Sequence, residues 1–162
     1  MVVKSSTIDP MQLDLAYLAL FLGQRVNELV AARMKKNGAA GVRESHGYVI
    51  QHLIDAERTI TELARRMGVT QQGASKAVAE LLRLGIVEAA PAADRRAKAI
   101  RLSKRGWESV KQARKVRAEI DGRLEKILGK KAHLRVKERL LDCLNELGGV
   151  ERVKARRVRE PN

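Results

Sequence analysis

Residues 61–72 have the sequence TELARRMGVTQQ, which has the pattern of a helix-turn-helix. Thr61 is expected to supply a hydroxyl cap for a two-turn helix, and Gly68 is expected to end it. Thr70 is placed to cap a second helix over residues 71–84. The apolar residues of this second helix share one face and are Ala74, Val78, Leu81 and Leu82. The segment therefore predicts two helices packed across a tight turn.

A β-hairpin is predicted after the second helix. Residues 86–89 (IVEA) alternate weakly as a strand, residues 90–98 form a polar loop that contains a proline, and residues 99–102 (AIRL) form the returning strand. A helix-turn-helix followed by a two-stranded hairpin is a winged helix-turn-helix. The predicted fold class is mainly α with a small β-hairpin wing, flanked by long dimerisation helices.

The flanking helices are predicted from caps and spacing. Asp9 and Pro10 are suited to start a long helix, and two further helices are expected over residues 104–128 and 132–147. Their apolar stripes exceed what the winged region can cover, which indicates packing on a second copy. The predicted organisation is an N-terminal dimerisation helix (1–42), a winged helix-turn-helix region (43–104), C-terminal dimerisation helices (105–150) and a basic, disordered tail (151–162).

The charge of the chain favours nucleic acid as the partner. The 162 residues include 33 Lys and Arg against 19 Asp and Glu, a net charge of +14. Residues 95–117 contain ten basic residues and one acid, a density that phosphate contacts would explain, although a solvated helix face is the alternative. Four aromatic residues are too few for the stacking platforms of single-strand binders. Double-stranded DNA is therefore the expected partner.

Several other classes of protein are not supported by the sequence. It has no phosphate-binding glycine loop, no nucleophile elbow and no His-Glu-x-x-His motif, so we expect no enzyme, catalytic residue or cofactor. One cysteine and two histidines six residues apart, His46 and His52, predict no metal site. The N-terminal region has no signal-peptide or membrane-span pattern, so the expected location is the cytoplasm, in association with the nucleoid.

The expected DNA contacts fall on the second helix and the hairpin, with a further phosphate contact from around Arg65 on the first helix. The outward residues at the start of the second helix would read bases in the major groove, because Gln pairs with adenine and Lys donates to guanine. An arginine on the narrow hairpin tip would enter the minor groove, with Asp94 orienting its neighbour or forming the turn. The complete predicted set is Arg65, Thr70, Gln71, Gln72, Ser75, Lys76, Asp94, Arg95, Arg96, Lys98 and Arg101.

These stretches resemble the MarR (multiple antibiotic resistance regulator) family of bacterial transcription factors. The resemblance is carried by residues 61–72, by LLRLGIV at 81–87, and by Asp94-Arg95-Arg96 followed by IRLSKRG at 100–106. With the flanking helices it covers roughly residues 9–148. It implies an obligate homodimer whose two winged regions bind a pseudopalindromic operator, with recognition helices about 34 Å apart.

The resemblance also raises the question of a small-molecule effector. Many members of the family release DNA when a phenolic or other aromatic-carboxylate compound binds between the dimerisation and winged regions. The candidates here for such a pocket are Tyr17, Phe21, His46, Tyr48 and Arg83, although apolar residues at helical spacing usually belong to the core. Cys143 is expected to be a buried core thiol, and the alternative is an inter-subunit disulfide or a modified sensor thiol.

The function that the sequence favours is a dimeric, sequence-specific regulator of transcription, with repression by promoter occlusion as the expected mode. One alternative is a nucleoid-type protein that coats DNA without choosing a sequence, because both would use the same charge. A second alternative is an interaction module that binds an acidic protein. The ratio of affinities for a selected and a random duplex distinguishes the first two.

Overall fold

The computed structural model of the chain describes residues 8–37, 41–90 and 99–156. The described helices and strands, in chain order, are a short 3-10 helix (Pro10–Gln12), α1 (Leu15–Lys36), α2 (Glu44–Leu53), β1 (Arg58–Thr59), α3 (Ile60–Met67), α4 (Gln71–Arg83), β2 (Val87–Ala89), β3 (Ala99–Leu102), α5 (Lys104–Leu128), α6 (Lys130–Glu146) and α7 (Val150–Ala155). The prediction of a mainly helical winged fold is confirmed.

The winged region is built around one hydrophobic core. Gly68 ends α3 in the left-handed conformation, and the Thr70 hydroxyl accepts a hydrogen bond from the Gly73 amide to begin α4, as the sequence predicts. The short turn between the two helices brings their apolar faces together. The core residues include Val49, Leu53, Leu63, Met67, Val78, Leu81, Ile86, Ile100 and Leu102.

The small sheet has one strand more than the predicted hairpin. Among the described residues, three strands pair antiparallel in the order β1-β3-β2, so β1 lies beside the hairpin. Arg58 pairs with Ile100 and Val87 pairs with Leu102. The extended piece ahead of α3 thus attaches the wing to the helix-turn-helix, a non-local pairing that strand patterns alone do not specify.

A second core joins the first and fifth helices. Val30 and Met34 of α1 pack against Val116 and Ile120 of α5. The contact leaves the N-terminal half of α1 outside this core, together with most of α6. No helix in the described ranges combines the length and the apolar character needed to cross a membrane.

Two predicted helix starts are displaced in the structure. Asp9 caps the 3-10 helix, and it is Asp14 whose carboxylate accepts from the Tyr17 amide to start α1. Thr59, not Thr61, caps α3: its hydroxyl accepts from the Glu62 amide while the Glu62 carboxylate accepts from the Thr59 amide at 2.8 Å. This reciprocal capping box makes the helix begin two residues earlier than expected.

Three further expectations are wrong. Leu82 is 42% exposed rather than in the core, because it lies one position beyond the buried stripe of α4. Cys143 is exposed, because no other described element of this chain covers its face of α6. Residues 151–155 of the predicted disordered tail (151–162) belong to α7, which begins at Val150. The Arg156 guanidinium at its end donates to the Gln51 carbonyl at 2.6 Å and to Asp55 at 3.1 Å.

Candidate nucleic-acid interface

The N-terminal half of α4 presents a polar surface. Gln71, Gln72, Ser75 and Lys76 are all exposed, while Ala74 between them is buried in the core. The helical period therefore divides this segment cleanly into an inward apolar side and an outward polar side. Gln71 donates to the Thr61 hydroxyl at 3.4 Å, which ties one glutamine back to the start of α3. The outward side can offer amide, hydroxyl and ammonium groups to a partner.

The same end of α4 is electrostatically positive. Its first turn contains no acidic residue, so no carboxylate offsets the positive end of the helix dipole. Thr70, the cap, is exposed, and the exposed Arg65 lies in the last turn of the preceding helix. A helix N-terminus of this kind is suited to an anionic phosphate oxygen, and Arg65 adds a positive charge on the preceding helix.

The wing contributes one described candidate, Arg101. Its guanidinium donates from Nε to Glu88 at 2.8 Å, and Nη1 lies 3.6 Å from Glu57. The two carboxylates already neutralise this arginine within the chain, so its availability for phosphate is lower than the sequence suggests. The other wing candidates, Asp94, Arg95, Arg96 and Lys98, lie outside the described residues.

A polar network on the inner side of α4 was missed in the sequence. Glu80 accepts from His46 Nε2 at 2.9 Å and also pairs with the Arg43 guanidinium. His46 is 1% exposed, and burial together with the positive charge of Arg43 lowers its pKa below the usual value. An acid between the buried residues Val78 and Leu81 was the available signal, because a carboxylate so placed needs a partner.

The effector candidates do not form one site within the chain. Tyr17 and Phe21 stack on α1 with ring centroids 6.2 Å apart, and both are more than half exposed. His46 is instead part of the network with Glu80, Tyr48 packs against the winged core, and Arg83 is exposed near the end of α4. The placement of His46 thus favours a structural role over the predicted pocket.

Two surface grooves lie elsewhere on the helices. One, of about 530 Å³, surrounds the α5–α6 turn from Leu128 to Arg135. The other, of about 380 Å³, lies where Val26, Arg117 and Lys137 meet. Neither groove is lined by any of the five effector candidates.

Large apolar side chains remain exposed on α1 and α6. Phe21 and Leu141 are 52% and 56% exposed, values far above those of core residues. The exposed apolar set on these two helices comprises Leu15, Tyr17, Leu18, Leu20, Phe21, Leu22, Leu134, Val136, Leu140, Leu141 and Leu144. This number of large exposed apolar side chains on two helices is typical of an interface.

Solved structures with the same fold include several transcription regulators. The YusO protein from Bacillus subtilis superposes with a TM-score of 0.67 at 18% identity, covering 86% of this chain and 98% of that one. MepR of Staphylococcus aureus, a transcription regulator of the multidrug efflux pump MepA, gives 0.66 at 17% identity, with coverages of 83% and 99%.

A third relative has been solved with two partners. The Mycobacterium tuberculosis MarR family protein Rv2887, in complex with DNA, gives a TM-score of 0.59 at 24% identity over 82% of this chain and 98% of that one. The same protein in complex with p-aminosalicylic acid gives 0.57 at 25% identity, with coverages of 82% and 99%.

The sequence comparisons agree with the fold. No curated protein matches the chain closely enough to identify a relative by sequence. The model of the MarR family, however, matches residues 40–97, a range that includes α2, the helix-turn-helix and β2. The match and the fold together support a DNA-binding transcription regulator, and over residues 40–97 the chain is similar to the MarR family.

Proposed function

We propose that the protein is a homodimeric, sequence-specific repressor that binds double-stranded DNA at a pseudopalindromic operator. The observation that carries the proposal is the outward polar side of α4, where Gln72, Ser75 and Lys76 are exposed at the positive end of the helix. In this reading α4 is the recognition helix, and its side chains contact base edges in the major groove. Such a protein would act in the cytoplasm at the nucleoid.

The proposed dimer rests on the exposed apolar faces of α1 and α6. Leu141 and Phe21 would be costly to leave in water, and a second copy of the chain would bury both helices in one interface. A twofold dimer would present two recognition helices to half-sites about 34 Å apart on one side of the duplex. This arrangement supplies the symmetry that a pseudopalindromic operator requires.

Modulation by a small molecule is part of the proposal. A MarR-family relative of the same fold has been solved with p-aminosalicylic acid, a small aromatic carboxylate. In this chain Tyr17 and Phe21 offer exposed rings on α1, at the face proposed to meet the second copy. An aromatic effector bound there would lie between the dimer helices and could alter the separation of the recognition helices.

The experiment that tests the function is selection of bound duplexes from a random DNA library at near-physiological salt with excess nonspecific competitor. We expect an inverted repeat with half-sites about one helical turn apart. The Lys76→Ala variant should recover an altered or weaker motif, whereas Lys130→Ala, at an exposed lysine of α6, should recover the same motif. Binding without any recovered motif would instead support the sequence-tolerant nucleoid-type protein, which the charge of +14 also favours.

A further inference from the structure

The start of α2 is joined to the inner side of α4 by a polar network centred on the buried His46. The Arg43 amide donates to His46 Nδ1 at 3.1 Å, so that nitrogen acts as an acceptor. The proton of the neutral ring is then on Nε2, which donates to Glu80 at 2.9 Å. Both ring nitrogens of His46 are satisfied only in this one tautomer.

The hydrogen bonds and the ion pair of this network converge on one carboxylate. Glu80 receives the His46 proton donor and the Arg43 guanidinium at the same carboxylate oxygen, Oε2. Arg43 and Glu80 are the ionic groups that face His46, the first from the start of α2 and the second from α4. A polar contact buried among apolar neighbours allows few alternative packings, because any rotation of α4 leaves a buried donor or acceptor unpaired.

The same turn of α2 is also tied to the long helices. Arg117 of α5 donates to the Asn27 side-chain oxygen at 2.8 Å, and the Asn27 amide nitrogen lies 2.5 Å from Glu44. Glu44 is the first residue of α2, next to Arg43. Polar contacts therefore lead from α5 through α1 to Glu44 of α2, and those of the adjacent Arg43 and of His46 lead on to Glu80 of α4.

We propose that His46 and Glu80 are positioning residues that fix the orientation of α4 for sequence recognition without contacting DNA themselves. The inference rests on the proposed function for its DNA readout only. Neither residue is on the outward side of the helix: His46 is buried, and the Glu80 side chain is 21% exposed. The network also keeps the Glu80 carboxylate paired and turned away from phosphate, which it would repel.

The test compares His46→Leu, His46→Gln and Glu80→Gln with Glu28→Gln, a matched control at an exposed ion pair on α1. Backbone amide exchange across α4 is measured in the protein without DNA. We expect amides in α4 of His46→Leu to exchange about tenfold faster or more while those of α5 are unchanged, since one hydrogen bond to a charged group is lost. His46→Gln retains a donor for Glu80 and should restore slow exchange, and Glu80→Gln should be intermediate because it loses only the pairing with Arg43.

The DNA readout uses the duplex recovered by selection and a scrambled duplex of the same composition. His46→Leu should lower the preference for the selected duplex about tenfold while binding of the scrambled duplex stays within about twofold. Equal losses on the two duplexes, or α4 exchange unchanged in both His46→Leu and Glu80→Gln, would overturn the positioning role. If selection recovers no motif, the proposed function fails, and amide exchange alone then supports or refutes the positioning of α4.

Discussion

Arg101 and Glu88 are paired across the two strands of the wing, with Arg101 Nε donating to the Glu88 carboxylate at 2.8 Å. Because this guanidinium is already neutralised, we expect Arg101→Ala to change DNA affinity only slightly. It should leave the slope of log affinity against log salt nearly unchanged, whereas a lost phosphate contact lowers that slope by about one. The exposed pair itself should contribute less than about 1 kcal/mol to the free energy of unfolding. A slope reduced by a full unit would restore Arg101 to the set of phosphate contacts.

Gln72 and Arg96 should affect DNA binding in different ways. Gln72 is exposed on the outward side of α4, so Gln72→Ala should change base preference more than affinity for random duplex. The sequence assigns Arg96 to the wing tip. Arg96→Ala should weaken binding to the operator by about 1–3 kcal/mol. Titration of each variant against the selected and the random duplex measures both effects. Equal losses for Gln72→Ala on the two duplexes would exclude a reading role.

The elements that the sequence predicts correctly are those specified by local chemistry. Gly68 ends α3 and Thr70 caps α4 through groups within a few residues, and both do so in the structure. The network of His46 with Glu80 was missed because it joins residues 34 positions apart, and no periodic pattern encodes such a pair. A local error also occurred at α3, where two threonines could serve as caps.

The burial of side chains on α6 was harder to predict from the sequence. Apolar spacing identified the face that holds Leu141 and Cys143, and the thiol predicted to be buried is exposed in the single chain. The apolar pattern indicates that this face is buried against another surface, and the contacts that bury it lie outside the single chain. The exposure of Gln72, Ser75 and Lys76 was easier to predict, since it follows directly from the helical period.

The stability of the fold should fall on mild acidification. Desolvation by burial lowers the pKa of both His46 and His52 below 6.5 in the folded chain. Below pH 6.5 these two histidines are therefore more protonated in the unfolded chain than in the folded chain. The free energy of unfolding decreases as the pH falls. The decrease in the free energy of unfolding ends once the pH is below the pKa values of both histidines in the folded chain. Above pH 6.5 neither histidine changes the free energy of unfolding with pH. The slope is at most about 1.4 kcal/mol per pH unit for each proton of difference.

Urea unfolding at pH 7.5 and at pH 5.5 measures this effect. The double variant His46→Gln, His52→Gln should lose most of the difference between the two conditions, because neither glutamine titrates. A double variant with the same pH dependence as the original chain would assign the effect to other groups.

The oligomeric state should depend on the exposed face of α6. Leu141→Glu places a charge within the apolar surface proposed to meet the second copy. We therefore expect the dissociation constant of the dimer to rise by at least about tenfold. Leu82→Glu is the matched control, because Leu82 is an exposed leucine on α4, away from α1 and α6. Sedimentation equilibrium over a range of protein concentrations gives both constants. Dissociation in neither variant would show that the covering partner is not a second copy on this face.

Two glycines of α5 should respond in opposite ways to the same substitution. A Cβ on Gly106 would overlap the Ile86 carbonyl oxygen, which also accepts from the Ser103 amide at 3.1 Å. The start of α5 can approach the wing only because that side chain is missing, so Gly106→Ala should destabilise the fold by about 1–3 kcal/mol or more. A Cβ on Gly122 meets nothing within 4 Å, and Gly122→Ala should stabilise the helix by about 0.5–1 kcal/mol. Urea denaturation of both variants tests the pair. If Gly106→Ala left the free energy of unfolding unchanged, α5 would be able to shift away from Ile86. The contact between Gly106 and Ile86 would then not fix the position of the wing.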